Sequence, residues 1–298
     1  MIIDGKNIAN EIIMSLKELP KPEKFLAAFL VGEDSASVSF LKQKEGVAKE
    51  LGLDFRLYKP EHTKNCVLGR AHTLQCMCFG FQNDTLREFI LKIVQHKTCG
   101  GAIVQLPLPE HINRQYVLNV IPREKDIDVL GERALGTFYA GRSKILPPAV
   151  GVVETILENC LPAESAMEEQ AGKLKIENCR VAVIGLGSLV GKPIANWLMG
   201  KVKEIYLLDE GSDLTLLKEA DLIISGVGKA NLFNAGNLKE NSLVIDFGYS
   251  FENGKISGDF NSSMLLSSSS LSYTPTPGGT GPILVAKLFE NFYKLNAN

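Results

Sequence analysis

Short unbroken apolar runs alternate along this chain with longer stretches whose apolar positions recur at helical spacing. That alternation predicts an α/β protein with mostly parallel sheets. In the first half, Phe25–Val31 reads as a buried strand ending at Gly32. A helix is expected from about Ser35 to Leu51, with Asp34 or Ser35 as N-cap and Gly52 as its stop. Asp54–Tyr58 reads as a short strand and Leu86–Gln95 as a helix, while Ala102–Leu106 reads as a strand cut off by Pro107 and Pro109. In the second half, strands are expected at Arg180–Ile184, Glu204–Asp209, Asp221–Ser225 and Ser242–Phe247. Helices are expected over residues 189–199, 213–219 and 235–239, and a last one from Ile283 to about Tyr293. The serine-rich stretch Asn261–Ser272 reads as a loop, and no repeat is present. Residues 61–83 fit no period; a lid, a disordered insertion and a short helix around Leu68–Leu74 remain open.

A length of 298 residues leaves room for two domains. The net charge of −2, with no long basic block, argues against nucleic acid as the main partner. No apolar run is long enough to span a bilayer, and the opening Met1–Lys6 carries no leader pattern, so a cytoplasmic protein is expected. The six cysteines are then expected as free thiols. Cys66, Cys76 and Cys78 with His62 and His72 raise a metal site, but Cys76 and Cys78 are too close for a usual zinc pair, so no metal is expected.

The expected strand Val181–Ile184 runs into Gly185-Leu186-Gly187-Ser188-Leu189-Val190-Gly191, directly before a predicted helix. This is GxGxxxG in strand–turn–helix context, with the first glycine making the turn and the second letting a pyrophosphate approach the backbone. We read Gly185, Leu186, Gly187, Ser188, Val190 and Gly191 as cofactor contacts. Asp209 ends the next strand, 24 residues beyond Gly185, where a carboxylate accepts from the adenosine ribose hydroxyls and repels a 2′-phosphate. NAD is therefore favoured over NADP, although Lys201 and Lys203 lie near enough in sequence to complicate the charge argument. Gly226, Val227, Gly228 and Tyr249 follow the third and fourth strands of this half and are cofactor contacts by position.

Three segments of the first half carry candidate polar groups. Ser37, Phe40 and Lys44 lie on the first predicted helix, with Phe40 and Lys44 on one face. Gln105 ends a strand otherwise built for burial, and Asp128 closes Lys125-Asp126-Ile127-Asp128. Singly, each has a plain structural reading: a solvated lysine, a capping amide, a turn carboxylate. Near the end, Thr274-Pro275-Thr276-Pro277-Gly278-Gly279-Thr280-Gly281-Pro282 forms a stiff, bare loop before a helix, suited to holding a flat polar ligand with main-chain groups.

Together these segments resemble the bifunctional methylenetetrahydrofolate dehydrogenase/cyclohydrolase family. The resemblance rests on the order and spacing of Ser35…Lys44, Val104-Gln105-Leu106-Pro107-Leu108-Pro109, Lys125–Asp128, Val190-Gly191-Lys192-Pro193 and Pro277–Pro282. It covers the chain apart from the stretch near 61–83. It implies a catalytic α/β domain over 1–146, a Rossmann-type NAD(P) domain over 147–273, and a tail over 274–298 whose helix returns to the first domain. It further implies a homodimer, a folate cleft between domains, and conversion of 5,10-methylenetetrahydrofolate to the methenyl form and then to 10-formyltetrahydrofolate. In it Lys44 matches the catalytic lysine, Gln105 the residue that tunes it, and Asp128 the carboxylate that holds the pterin. Ser37, Phe40, Leu106, Pro107, Pro277, Gly278 and Gly279 are the implied folate contacts. A lysine in such a cleft, beside a cationic substrate, is expected to have a depressed pKa.

The chain departs from the family pattern at several places. Phe40 stands where a tyrosine is usual, which removes a hydroxyl and predicts a slow cyclohydrolase. Leu186-Gly187 replace the usual Arg-Ser, and Asp209-Glu210 replace a Ser-Arg pair; both changes remove basic partners and favour NAD. Val129 occupies a usual glycine position, and Pro147–Gly151 departs from the usual interdomain hinge sequence. Two other readings are open. A shikimate-type dehydrogenase keeps the fold, and the Gln-Leu-Pro-Leu-Pro and Pro-Gly-Gly segments argue against it. A silent folate- or nucleotide-binding paralogue is kept open by Phe40 and opposed by Lys44, Gln105 and Asp128.

Overall fold

The computed structural model describes residues 1–32, 34–60, 83–160, 175–252, 254–265 and 270–297. The expectations for residues 61–82, with Cys66, Cys76, Cys78, His62 and His72, lie outside the described residues, as do residues 266–269 of the serine-rich stretch. In chain order the first elements are α1 (Gly5–Lys17), β1 (Phe25–Phe29), α2 (Ser35–Glu50), β2 (Phe55–Tyr58), α3 (Asn83–Val94), β3 (Cys99–Val104), α4 (Arg114–Leu118) and α5 (Glu132–Tyr139). There follow α6 (Pro148–Cys160), β4 (Arg180–Ile184), α7 (Gly191–Leu198), β5 (Glu204–Leu208), β6 (Leu222–Ser225), β7 (Phe233–Asn234) and β8 (Leu243–Asp246). The last are β9 (Ser250–Glu252), β10 (Lys255–Ser257), β11 (Phe260–Asn261), β12 (Ser272–Tyr273) and α8 (Thr280–Asn296). No helix among the described residues is long and apolar enough to cross a membrane.

The chain forms two compact units, and each is discontinuous. One joins Leu16–Ile145 to Leu288–Asn298; the other joins Met1–Ser15 to Leu146–Lys287. This differs from the boundaries read in sequence at both ends. The first residues group with the second unit because Ile3 N donates to Tyr273 O at 2.9 Å and Tyr273 N to Met1 O at 3.0 Å. The chain start thus bridges in parallel to Tyr273 at the sheet edge, a long-range pairing with no local signature.

In the Leu16–Ile145 unit the sheet is parallel with order β2-β1-β3. Alternate residues of β1 feed two faces: Phe25, Ala27 and Phe29 pack with Leu86, Ile90 and Val94 of α3, and Ala28 packs with Leu41 of α2. Both faces being covered explains why β1 reads as an unbroken apolar run. The helix α2 starts where expected, because the Asp34 carboxylate accepts from Ser37 N at 2.8 Å. It stops at Gly52, which has φ 65° and donates to Lys49 O.

In the other unit five parallel strands have the order β12-β8-β6-β4-β5. The order reverses at β4, flanked by β5 and β6, which is the switch point where ligands bind in such sheets. The predicted helices over 213–219 and 235–239 are short 3₁₀ turns, Leu214–Glu219 and Ala235–Asn237. Their segments are too short to repay helix nucleation. Sequence reading missed α1, α4, α5, α6, the β9–β10 hairpin and the two-residue strands β7, β11 and β12, and it set α8 too short. Serine-rich Asn261–Ser272 includes a 3₁₀ turn over Ser262–Met264.

Candidate active site

The face of α2 toward the sheet carries Ser37, Leu41, Lys44 and Ala48, all buried, the spacing of one helical stripe. Lys44 is only 3% exposed. Its ammonium donates to Gln105 Oε1 at 3.0 Å and lies 5.4 Å from the centre of the Phe40 ring. Gln105 follows β3, and its backbone N donates to Phe29 O at 2.9 Å, which extends the ladder by one residue. Its amide is oriented by a second bond, Nε2 to Leu106 O at 2.7 Å, so Oε1 must face Lys44. Ser37 Oγ donates to the same carbonyl at 3.1 Å. Ser37 therefore braces Gln105 through Leu106 O. The Leu106–Pro107 bond is cis.

The segment Lys125–Asp128 divides its work residue by residue. The Lys125 ammonium donates to Val94 O at 2.6 Å and His96 O at 3.0 Å, closing the C-terminal end of α3. Asp126 is buried, and one of its oxygens accepts from Leu130 N at 3.0 Å and Gly131 N at 2.7 Å, just before α5. Ile127 is fully buried, and Asn291 of α8 donates to its carbonyl at 2.9 Å. Asp128 is half-buried. Among the described residues no hydrogen-bond donor reaches its carboxylate. Val129 has φ 55°, the left-handed region that disfavours a β-branched side chain. It is held there by burial, being 1% exposed.

Burial pushes the Lys44 ammonium below its usual range, and the charge of Asp128 pulls it partly back. Burial raises the Asp128 carboxyl, and Lys44 opposes that rise. The result is a desolvated amine and a carboxylate coupled to it, the pairing that tunes a proton-transfer group.

In the second unit the predicted glycine turn joins β4 to α7. Gly185 has φ 83° and donates to Leu208 O at 2.9 Å, which sets Asp209 beside the turn. A Cβ on Gly191 would stand 1.9 Å from Gly185 O, so this glycine is required for the helix to meet the strand. A Cβ on Gly187 would meet nothing within 4 Å. The free chain does not need glycine there, whereas close approach of a pyrophosphate does. Asp209 and Glu210 are exposed, as are Val227 at 43% and Tyr249 at 47%. These apolar groups at the ends of strands suit the faces of a flat heteroaromatic ligand. Gly226 packs on Val190. The Lys201 ammonium lies 3.8 Å from the centre of the Trp197 ring.

The Pro277-Gly278-Gly279 loop rests on the start of α1: a Cβ on Gly5 would stand 1.8 Å from Gly279 O. Thr276–Pro277 is cis, and Thr280 Oγ1 donates to Asp246 O at 2.9 Å.

Residues 3–128 match the tetrahydrofolate dehydrogenase/cyclohydrolase catalytic domain, and residues 160–298 match the NAD(P)-binding domain of the same enzymes. The chain belongs to this family. It is 32% identical to the bifunctional protein FolD of Bacillus licheniformis, over 98% of this chain and 96% of that one. It is 29% identical to the FolD of Clostridium perfringens, over 98% of each. Among solved structures, the FolD methylenetetrahydrofolate dehydrogenase/cyclohydrolase of Campylobacter jejuni superposes with a TM-score of 0.83 at 28% identity, covering 99% of this chain and 98% of that one. The two-domain α/β fold expected from sequence is that of the tetrahydrofolate dehydrogenase/cyclohydrolase family. Of the predicted catalytic residues, Lys44, Gln105 and Asp128 meet in one unit. Sequence reasoning missed the bracing by Ser37, the separate tasks of Lys125 and Asp126, and a buried carboxylate at Asp259.

Proposed function

We propose that this chain oxidises 5,10-methylenetetrahydrofolate to the methenyl form with NAD as hydride acceptor, and then hydrolyses that product slowly to 10-formyltetrahydrofolate. The observation that carries the proposal is the buried Lys44, bonded to an oriented Gln105 and coupled to Asp128. A bound nicotinamide dinucleotide supplies the hydride acceptor. The free carboxylate of Asp128 accepts side-by-side N–H donors of the pterin. Desolvation favours the neutral form of Lys44, and a cationic methenyl carbon nearby favours it further. The neutral amine takes a proton from the water that attacks this carbon and passes it to the departing nitrogen; as the C–N bond breaks, the added hydroxyl becomes the formyl carbonyl and releases its own proton to solvent. Gln105 Oε1 keeps the amine aimed. Leu106 and Pro107 offer further folate contacts in this unit, and Phe40 a ring face; the family pattern alone adds Pro277, Gly278 and Gly279.

The preference for NAD rests on charge. Asp209 stands beside the glycine turn where a 2′-phosphate would be repelled, Leu186 and Gly187 bring no cation, and Lys201 is engaged with Trp197. As in the family pattern, we place the enzyme in the cytoplasm as a homodimer. The test is absorbance-monitored oxidation of 5,10-methylenetetrahydrofolate with NAD and NADP in parallel, with acid quench to separate methenyl product from reduced nicotinamide. Turnover with NAD and accumulation of methenyl product are expected. Turnover with NADP alone would overturn the charge argument, and folate binding without turnover would overturn the enzymatic reading.

A further inference from the structure

Asp259, between β10 and β11, belongs to none of the segments that the sequence marks as functional. It is fully buried. One carboxylate oxygen accepts from Ser225 Oγ at 2.6 Å and Val227 N at 2.8 Å. The other accepts from Gly228 N at 2.9 Å and Lys229 N at 2.8 Å. Three successive amides converging on one point form an anion-binding nest. This nest follows β6, at the C-terminal edge of the sheet and beside the switch point, where the phosphates of a ligand would be sought. Here the chain supplies the anion itself.

The same loop forms one wall of the nucleotide site. A Cβ placed on Gly185 would meet Gly226 O at 2.9 Å and the Val227 side chain at 3.0 Å, so the loop lies directly against the glycine turn. The neighbouring loop after β8 packs closely against the same carboxylate: a Cβ on Gly248 would stand 2.2 Å from Asp259 Oδ1. Ser250 Oγ donates to Gly228 O at 2.7 Å and ties the two loops together. We propose that Asp259 is a positioning residue for the nicotinamide dinucleotide: it fills the amide nest of residues 227–229, sets the height of that wall, and leaves the pyrophosphate to the turn at Gly187. The proposal rests on the dinucleotide reading of this domain.

The experiment is a titration of NAD into wild-type, Asp259→Ala, Asp259→Asn and Ser225→Ala proteins by quenching of protein fluorescence. Melting temperature and the folate KM are recorded for each. Four charge-assisted bonds hold the loop, so Asp259→Ala is expected to weaken NAD binding by roughly 10- to 100-fold, with the folate KM within about twofold. Asp259→Asn keeps one acceptor oxygen and is expected to fall between, while Ser225→Ala removes one donor and is expected to cost about two- to fivefold. Sodium formate, a carboxylate small enough for the vacated nest, is expected to restore NAD affinity in Asp259→Ala and to leave the wild type unchanged. NAD affinity like the wild type in a folded Ala or Asn variant would overturn the proposal. So would parallel losses for NAD and folate without formate rescue, which mark a general stability role. If Asp259→Ala does not fold, unchanged NAD affinity in Ser225→Ala overturns it alone. Absence of NAD binding in the wild type would instead overturn the dinucleotide reading.

Discussion

Phe40 brings a ring, and no hydroxyl, to the helix face beside Lys44. Its ring centre lies 5.4 Å from the ammonium, close enough for a cation–π attraction that favours the charged amine. Burial favours the neutral amine and is the larger effect on Lys44. A tyrosine hydroxyl would add a hydrogen bond worth roughly 0.5–1.5 kcal/mol to the amine or the attacking water, about two- to twelvefold in rate. Phe40→Tyr is therefore expected to speed methenyl hydrolysis by several-fold while changing hydride transfer little. Stopped-flow decay of methenyl absorbance measures it, and an unchanged decay would remove Phe40 as the cause of a slow second step. Val129 shows the same kind of competition in the backbone. Its left-handed φ of 55° costs roughly 1–2 kcal/mol, and complete burial of its side chain returns about as much.

At the scale of elements, the turn from Asp126 into α5 carries a pH dependence of its own. Burial is the main cause that lifts the Asp126 carboxyl from 3.8 to about 6; the Asp128 charge adds to it, and the amides of Gly131, Leu130 and Val129 oppose it. Between those values the folded chain keeps a proton that the unfolded chain has released. Stability from this group is full below about pH 3.8 and is lost as pH rises through about 6, on the order of 3 kcal/mol in all. Asp126→Asn keeps an oxygen for Leu130 N and Gly131 N and removes the titration. Its melting temperature relative to wild type is expected to climb between pH 4 and about 6.5; a difference that stays flat across that range would show that Asp126 ionises without penalty. The sequence displayed Lys125–Asp128 as one motif, whereas the structure uses three of its residues for packing and helix ends, and only the charge of Asp128 acts on Lys44.

At the scale of the molecule, each compact unit needs two separate pieces of chain. The unit that holds Lys44 includes Leu288–Asn298, where Leu288, Phe289 and Phe292 are fully buried and Tyr293 nearly so. Phe292 packs where Gly101 leaves room for it, and Asn291 caps the Ile127 carbonyl beside Asp128. Fully burying four such side chains is worth roughly 6–12 kcal/mol, as much as the whole net stability of a typical domain. Truncation after Lys287 is thus expected to abolish cooperative unfolding of this unit and with it folate binding. Calorimetry would show the loss, and a truncated chain that melts as sharply as the full one would refute it.

Local pattern settled what depends on neighbours in sequence. The apolar run of β1 called for a strand covered on both faces, Asp34 and Gly52 bounded α2, and the strand–glycine–helix sequence at Gly185 marked the dinucleotide turn, because caps, periods and tight turns are made of consecutive residues. The motif order carried the family, and Lys44, Gln105 and Asp128 with it. Tertiary structure alone decided where Met1–Ser15 and Leu288–Asn298 belong, that Ser37 acts on Gln105 through Leu106 O, and that Asp259 holds a loop some thirty residues earlier in the chain. These contacts join residues far apart in sequence. They follow from which apolar faces and unpaired amides meet once the sheets have assembled, and no spacing along the chain records that.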